Sequence, residues 1–233
     1  MAGITPFYAH AGITIYLGDA RDILPSITNV DLVATDPPYN IGFSGYDGYG
    51  DSLPEHDYVA LLALLRRFPR TAISHYPEEM MRYVVPALGP PHHVSAWCYH
   101  ANFSRRFRLI NYYGVKPDYS RIKQPYRNMD DKRIVAALAN GSEGSSLYEW
   151  WDDIDQVKNV SLEKTEHPCP LPERLVARIL ALCTEPGWVV LDPFMGSGTT
   201  LRVAKILGLQ AVGIEISEAY ARIAVERLSQ EVL

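Results

Sequence analysis

Cysteine is scarce in this sequence, and its scarcity excludes several kinds of site. The three cysteines, Cys98, Cys169 and Cys183, lie far apart, so none forms a pair at metal-ligand or redox spacing. His92 and His93 are adjacent, and adjacent side chains rarely converge on one ion. We therefore expect no metal.

Long apolar runs are also missing. No stretch approaches the roughly 18 apolar residues that a membrane span requires. The first sixteen residues lack the charged start and continuous apolar stretch of a secretory signal. We expect no membrane partner and a cytoplasmic location.

Positive charge is in deficit overall, because the formal net charge is -5. Its distribution is uneven, however. Residues 104–133 contain nine basic residues and three aspartates, so this stretch carries +6 and the remainder -11. This pattern indicates a local surface for a polyanion within an otherwise acidic protein.

Short apolar segments alternate with amphipathic ones along the chain. We predict strands at residues 12–17, 31–35, 71–74, 94–99, 108–115, 188–192 and 210–214. We predict helices at residues 58–68, 78–88, 199–207 and 218–228. Such alternation implies an α/β domain with a mostly parallel sheet covered on both faces.

A glycine-rich turn follows the strand at residues 188–192. Gly196 and Gly198 lie between this strand and the next helix, where backbone N–H groups are free to bind a ligand. A Walker loop would need a lysine before the Ser or Thr, and a dinucleotide fingerprint would need a small residue at Leu201. Glu215 ends the next strand, where such folds place an acid that accepts hydrogen bonds from ribose hydroxyls. The turn therefore predicts a different nucleotide-type cofactor.

The strand at residues 31–35 is followed by Asp36, Pro37, Pro38 and Tyr39. Two prolines stiffen the chain, donate no hydrogen bond and leave their carbonyls as acceptors. The exocyclic amine of a base is a poor nucleophile until acceptors hold its two N–H groups. The Asp36 carboxylate and the Pro37 carbonyl can supply both, and Tyr39 offers a ring for stacking. We predict that these four residues are catalytic.

Together these segments resemble the DNA amino-methyltransferases, the N6-adenine and N4-cytosine enzymes, in the permuted arrangement called the β group. In that group the catalytic motif precedes the cofactor motif, as residues 36–39 precede residues 194–199 here. Residues 16–20 (YLGDA) resemble the family's N-terminal segment, whose acid contacts the cofactor's adenine. Residues 164–168 (KTEHP) resemble the segment that closes over the methionine end.

The resemblance implies a Rossmann-like, seven-stranded, circularly permuted sheet with one antiparallel strand, and S-adenosylmethionine as cofactor. The cofactor residues predicted from the turn and the resemblance are Asp19, Ala20, His167, Pro168, Asp192, Phe194, Gly196, Ser197, Gly198, Thr199, Glu215 and Ile216.

Residues 104–164 occupy the position of the family's target-recognition region, as an insertion within a single domain of residues 1–233. Their interleaved basic and aromatic residues suit phosphate contact and base stacking. We expect nucleic-acid contacts from Arg105, Arg106, Lys116, Arg121, Lys123, Tyr126 and Arg127. The family's usual Trp is absent ahead of Lys116, so the sequence does not identify the aromatic residue that stacks on the target base.

These observations predict a site-specific DNA methyltransferase acting on the N6 amine of adenine. N4-cytosine methylation needs the same two acceptors, and the family's N4 enzymes more often carry Ser where Asp36 stands. An RNA base amine is a further alternative. C5-cytosine chemistry needs a Cys nucleophile, but Cys169 does not follow the catalytic strand.

A nucleotide-binding regulator or dehydrogenase on the same sheet is the alternative from another class. The expected partner is double-stranded DNA with a flipped base. A homodimer and a separate restriction endonuclease are further candidate partners. The resemblance implies a bacterial, archaeal or phage-encoded protein.

Overall fold

The structure is a computed structural model that describes residues 4–46, 50–101, 104–157, 163, 165–166 and 168–229. The strands are β1 (Tyr8–His10), β2 (Ile13–Leu17), β3 (Leu32–Thr35), β4 (Thr71–His75), β5 (His93–Cys98), β6 (Phe107–Tyr113), β7 (Lys123–Gln124), β8 (Ser145–Ser146), β9 (Trp150–Trp151), β10 (Val189–Asp192) and β11 (Gln210–Glu215). The helices are α1 (Ala20–Ile23), α2 (Glu55–Ala63), α3 (Pro77–Glu79), α4 (Val85–Leu88), α5 (Lys132–Ala139), α6 (Glu173–Cys183), α7 (Thr199–Ile206) and α8 (Glu218–Ser229). A 3-10 turn (Leu64–Arg67) extends α2, and a π-helical segment (Met80–Val84) joins α3 to α4.

One large sheet forms the centre of the molecule, with strand order β1-β2-β11-β10-β3-β4-β6-β5-β9. The five strands from β2 to β4 in this order pair in parallel. β6 runs antiparallel to both of its neighbours. The predicted α/β fold with a mostly parallel sheet is confirmed.

The strand count differs from the predicted seven, because two short edge strands bring the described sheet to nine. β1 pairs antiparallel with β2 through a tight turn, and β9 pairs parallel with β5. The sheet therefore has a second antiparallel strand in β1. Segments of two or three residues are too short to show a hydrophobic period, so no sequence pattern predicted them.

Helices cover both faces of the sheet. Alternate residues of β3 point to opposite sides, so Leu32 and Ala34 join one buried cluster and Val33 joins the other. The first cluster includes side chains of α6, α7 and α8, and the second includes side chains of α1, α2 and the π-helical segment. In the ranges described, no helix is both long and apolar enough to cross a membrane.

The range predicted as a recognition insertion, residues 104–164, only partly leaves the sheet. β6 and β9 lie within this range but pair into the main sheet. Between them lie the separate β7–β8 ribbon and α5, a helix with no buried residue. The domain boundaries therefore stay a prediction, and β7, α5 and β8 are the elements that project from the sheet.

Candidate active site

The loops that follow β2, β3, β10 and β11 meet at one edge of the sheet, because these neighbouring strands run parallel. In open α/β sheets, ligands bind at the carboxyl ends of the strands. The predicted catalytic and cofactor motifs both lie at this edge. It is therefore the candidate active site.

The Asp36 carboxylate lies at the end of β3 with polar groups on several sides. The Tyr39 hydroxyl lies 2.7 Å from Oδ1 and 2.9 Å from Oδ2, and Arg108 Nη1 lies 3.1 Å from Oδ2. Burial raises the pKa of Asp36, while the charge of Arg108 and the hydrogen bond from Tyr39 oppose that rise. The site thus contains a nearly buried ion pair that the sequence did not reveal.

Arg108 is enclosed by aromatic rings. Its guanidinium carbon lies 5.0 Å from the ring centre of Tyr39, 5.1 Å from that of Tyr76 and 5.3 Å from that of Trp97. These distances are typical of cation–π contacts. An arginine within a mostly apolar strand pattern is the one sequence signal that could have pointed to this residue.

The Pro38 carbonyl accepts a hydrogen bond from the Tyr58 hydroxyl of α2. The same hydroxyl lies 3.2 Å from Nε2 of His75, whose side chain is fully buried. Burial, together with the charges of Arg108 and Arg105, lowers the pKa of His75 to about 3, so this ring is neutral at physiological pH. The proline turn is thereby fixed from α2. A role for the Pro37 carbonyl as second acceptor stays a prediction.

The ring of Tyr39 is almost inaccessible, with 7% of the residue exposed. His75 lies 4.6 Å from its centre, Tyr76 lies 4.9 Å away, and the Arg108 guanidinium covers it as well. A base can stack on Tyr39 only if one of these neighbours, or Tyr39 itself, moves. The predicted stacking role therefore requires a rearrangement of this conformation.

The predicted cofactor turn is organised by two buried acids. Asp192 accepts hydrogen bonds from the Thr35 hydroxyl at 2.8 Å and from the Phe194 N–H at 3.1 Å, and burial raises the pKa of Asp192 to about 6. Glu215 accepts the Gly196 N–H at 2.9 Å on Oε2, and Oε1 accepts a second backbone N–H, from residue 217. The ribose role predicted for Glu215 must use the lone pairs that these bonds leave.

An arginine of α8 forms hydrogen bonds to the glycine-rich turn. Arg227 donates to the Ser197 carbonyl at 2.8 Å and to the Thr199 hydroxyl at 3.2 Å, and it pairs with Glu173 of α6 at 2.8 Å. No sequence pattern pointed to Arg227, because its partners lie on other elements. Through it the turn is tied to α6 and α8.

Two clefts open at this edge and meet at Asp36. The larger, of about 800 Å³ and open to solvent, is lined by eight of the predicted residues: Asp19, Ala20, Asp36, Pro38, Phe194, Gly196, Glu215 and Ile216. The smaller, of about 330 Å³, is lined by six of them: Asp36, Asp192, Phe194, Gly196, Ser197 and Thr199.

Other predicted residues lie elsewhere. Gly198 and Pro168 are outside the residues that line the two clefts, as are Pro37 and Tyr39. His167 lies outside the described residues. Lining residues that the sequence did not reveal include Tyr46, Leu53, Leu61, Cys169 and Tyr220.

The loop of residues 40–53 brings two of these lining residues to the cleft. Buried Asp51 accepts three backbone N–H groups from residues 40, 41 and 43, at 2.7 to 3.2 Å. The Asn40 side chain bonds to both the N–H and the carbonyl of Leu53. These bonds hold residues 40–43 against residues 51–53, and Tyr46 and Leu53 lie at the cleft wall.

Two of the predicted nucleic-acid contacts are engaged within the protein. Arg105 forms an ion pair with Glu79 at 2.8 Å. Arg121 donates to the Thr184 carbonyl at 2.6 Å and pairs with both Asp118 and Glu185. A phosphate would have to compete with these partners.

The other predicted contacts are on or near the surface. Arg106, Lys116 and Lys123 are exposed, and Tyr126 is half-buried. Exposed Arg127 stacks 4.1 Å from the ring centre of Trp150, which is itself 40% exposed. Arg127 and Trp150 together present a charge and a flat ring to solvent. The described ranges hold no group of three or more His, Cys, Asp or Glu side chains that could bind a metal ion.

A motif for base-amine chemistry and a cofactor-type turn thus share one edge of an α/β sheet. Residues 67–226, more than half of the chain, match the model of the N6/N4 DNA methylase family. The chain belongs to this family. The predicted resemblance is confirmed.

Curated relatives align with most of the length of this DNA methylase. It is 28% identical over 97% of its length to the Type II methyltransferase M.ScaI of Streptomyces caespitosus, covering 84% of that protein. It is 30% identical over 92% of its length to the DNA adenine methyltransferase YhdJ of Escherichia coli K12, covering 82% of that protein.

Solved structures share its fold. The PvuII DNA methyltransferase, described as cytosine-N4-specific, matches with a TM-score of 0.70 at 16% identity, over 99% of this chain and 91% of that one. A putative DNA modification methylase of Thermus thermophilus, complexed with S-adenosyl-L-methionine, matches with a TM-score of 0.58 at 25% identity, over 92% and 94% of the two chains. Adenine and cytosine-N4 enzymes thus both occur among the similar proteins.

Proposed function

We propose that this DNA methylase transfers a methyl group from S-adenosylmethionine to the N6 amine of adenine within a specific DNA sequence. One observation carries the proposal: Asp36 lies where the two clefts meet. An acceptor at that junction can hold an amine against a cofactor that spans both clefts.

The residues present fit this cofactor. Asp19 and Glu215 line the larger cleft and offer carboxylate acceptors for the polar groups of an adenosine moiety. The glycine turn lines the smaller cleft, where Ser197 and Thr199 suit the polar methionine end. S-adenosylmethionine supplies an electrophilic methyl group, so the protein must present the amine to it.

The chain's own contribution is to activate and orient the amine. Its two N–H groups donate to the Asp36 carboxylate and the Pro37 carbonyl, which draws the nitrogen lone pair out of the ring and toward the methyl group. Tyr58 fixes the turn by binding the Pro38 carbonyl. Methyl transfer breaks the bond between the methyl group and the sulfonium, leaves S-adenosylhomocysteine as a neutral thioether, and releases one N–H proton of the amine to solvent. No covalent enzyme intermediate is needed.

Asp36 also favours adenine over cytosine. An N4-cytosine amine would use the same two acceptors, but the resembling N4 enzymes more often have Ser at this position. N4-cytosine methylation is the second candidate, and the cytosine-N4-specific PvuII enzyme, which shares the fold, is the observation in its favour.

The proposed substrate is double-stranded DNA from which the target base is flipped. The site is a cleft at the sheet edge, which a base stacked within a duplex cannot enter. Exposed Lys116, Lys123 and Arg127 suit contacts to the DNA backbone. A homodimer and a separate restriction endonuclease remain proposed partners, the latter because one relative is a Type II methyltransferase.

The test is to incubate the protein with methyl-labelled S-adenosylmethionine and unmethylated bacterial DNA, then to identify the labelled nucleoside by mass spectrometry. N6-methyladenine is the expected product, and the Asp36→Ala variant is the inactive control. N4-methylcytosine would correct the base while keeping the chemistry. A parallel incubation with RNA tests the other substrate, and label found in the RNA but not in the DNA would overturn the choice of DNA.

A further inference from the structure

Arg108 reaches the catalytic motif from a strand that belongs to neither the catalytic nor the cofactor segment. It lies on β6, two strands from β3, and only 7% of its side chain is exposed. Its partner Asp36 is 14% exposed, so this ion pair is nearly buried. A buried arginine whose charge faces the proposed catalytic acid calls for a functional explanation.

An ionised carboxylate is costly at such a place unless a cation compensates it. Several groups act on Asp36: Tyr39 hydrogen-bonds to it, Arg108 faces it from β6, and Ser74, Asp192 and Tyr46 lie within electrostatic range. Among these described groups Arg108 is the cation. Asp192 adds a negative charge when ionised and opposes ionisation of Asp36.

We propose that Arg108 is a positioning residue for methyl transfer, which keeps the Asp36 carboxylate ionised and fixed as a hydrogen-bond acceptor for the amine. This inference rests on the proposed function and adds to it a residue that no motif assigns. Arg108 contacts the Asp36 carboxylate, and in the proposed mechanism Asp36 contacts the amine.

The protonation state decides whether Asp36 can do this. An amine presents donors, so a protonated carboxyl, whose own O–H is a donor, would offer one acceptor fewer and would repel an N–H group. Arg108 contacts Oδ2 and the Tyr39 hydroxyl contacts Oδ1, so an ionised Oδ1 keeps a second lone pair for the amine. The rings of Tyr39, Tyr76 and Trp97 hold the guanidinium in place and limit its rotation.

The experiment compares the wild type with Arg108→Met, which removes the charge, and Arg108→Lys, which keeps it. The Asp36 carboxyl is titrated by carbon-13 NMR, with its resonance assigned by its loss in Asp36→Asn. We expect wild-type Asp36 to be ionised at pH 7.5, and its titration midpoint to rise by about 1 to 3 pH units in Arg108→Met. Arg108→Lys should return most of the way to the wild-type midpoint.

Methylation rates measured against pH provide the second readout. Arg108→Met should be at least about tenfold slower at pH 7 and should recover as the pH rises through the new Asp36 midpoint. Affinity for S-adenosylmethionine should stay within about threefold. A purely structural role would lower the rate at every pH and would not shift the acid limb, which is the range in which the rate falls as the pH is lowered.

Arg178→Met is the matched control. Arg178 is also a nearly buried arginine, paired with Asp153 at 2.7 Å and stacked 5.3 Å from the ring centre of Trp151. Its loss should lower the melting temperature without moving the Asp36 titration or the acid limb.

Two results would overturn the proposal. One is an Asp36 carboxyl that is protonated at pH 7.5 in the wild type. This result does not depend on whether an Arg108 variant folds. The other is a folded Arg108→Met whose titration and acid limb match the wild type. The NMR titration needs no methyl acceptor, so a wild type that labels no base would overturn the proposed function separately.

Discussion

A Cβ atom placed on Gly198 would lie 2.7 Å from the Cβ of Ala224, closer than side chains pack. Gly198 also has a φ of +78°, in the left-handed region that favours glycine. The sequence predicted Gly198 as a cofactor residue of the turn, and that role stays a prediction. In the structure this glycine leaves room for α8 to pack against the start of α7.

Replacing Gly198 with alanine should therefore destabilise the fold. We expect a loss of about 1 to 3 kcal/mol in the free energy of unfolding, from backbone strain and overpacking together. Urea denaturation measures this loss. Adding Ala224→Gly should recover the part of this loss that comes from overpacking, less the roughly 1 kcal/mol that a glycine costs within a helix. It should not recover the part that comes from backbone strain. An alanine variant as stable as the wild type would contradict this account.

Seven strands of the sheet and four of the helical segments were predictable because they are long enough to show a period. All seven predicted strands occur, and none of their ends is misplaced by more than two residues, as with β6 at Phe107–Tyr113 against the predicted 108–115. The exceptions, β1 and β9, are defined by pairing across the sheet, which no local pattern encodes.

The site divides in the same way. Asp36, Gly196 and Glu215 were predictable because each belongs to a short motif of consecutive residues or ends a predicted strand. Arg108 and Arg227 were not, because their bonds to Asp36 and Ser197 span 72 and 30 residues of sequence. Such contacts depend on the tertiary fold.

Truncating Asp36 separates catalysis from cofactor binding. Asp36→Ala should lower the methylation rate by at least about 100-fold, because it removes an acceptor aimed at the reacting amine. Cofactor affinity, measured by calorimetry, should change by no more than about threefold. Glu215→Ala should do the reverse and weaken cofactor binding first. Full activity in Asp36→Ala would refute the proposed chemistry, and Asp57→Ala, at a half-buried acid that lines neither cleft, serves as the control.

Exposed lysines of the recognition region should govern the salt dependence of DNA binding. Lys116→Ala combined with Lys123→Ala should lower affinity and reduce the slope of log K against log salt by up to about 1.8, if each contacts one phosphate. Fluorescence anisotropy across a salt series measures the slope. Arg121→Ala should change it less, since Arg121 is held by Asp118, Glu185 and the Thr184 carbonyl. If Arg121→Ala reduced the slope as much as each single lysine substitution does, the ion pairs of Arg121 would have to break when DNA binds.

Asp192 should make stability fall as the pH rises through a defined window. Burial raises its pKa from an ordinary value near 3.8 to about 6, so between these values the folded state binds more protons than the unfolded state. Stability is then lost from about pH 4 to pH 6, by about 3 kcal/mol in all.

Asp192→Asn has no such titration and keeps an acceptor oxygen for the Phe194 N–H. Relative to the wild type, the variant should gain up to about 3 kcal/mol between pH 4 and pH 7.5, measured by urea denaturation at both pH values. Asp153→Asn provides a control of opposite sign, because the hydrogen bond from Arg178 lowers the pKa of Asp153. That variant should lose stability relative to the wild type as the pH rises toward about 4, and the difference should then stay nearly constant up to pH 7.5. If the stabilities of Asp192→Asn and the wild type instead ran parallel with pH, the pKa of Asp192 would be the same in the folded and unfolded states, and the hydrogen bonds from Thr35 and Phe194 would balance its burial.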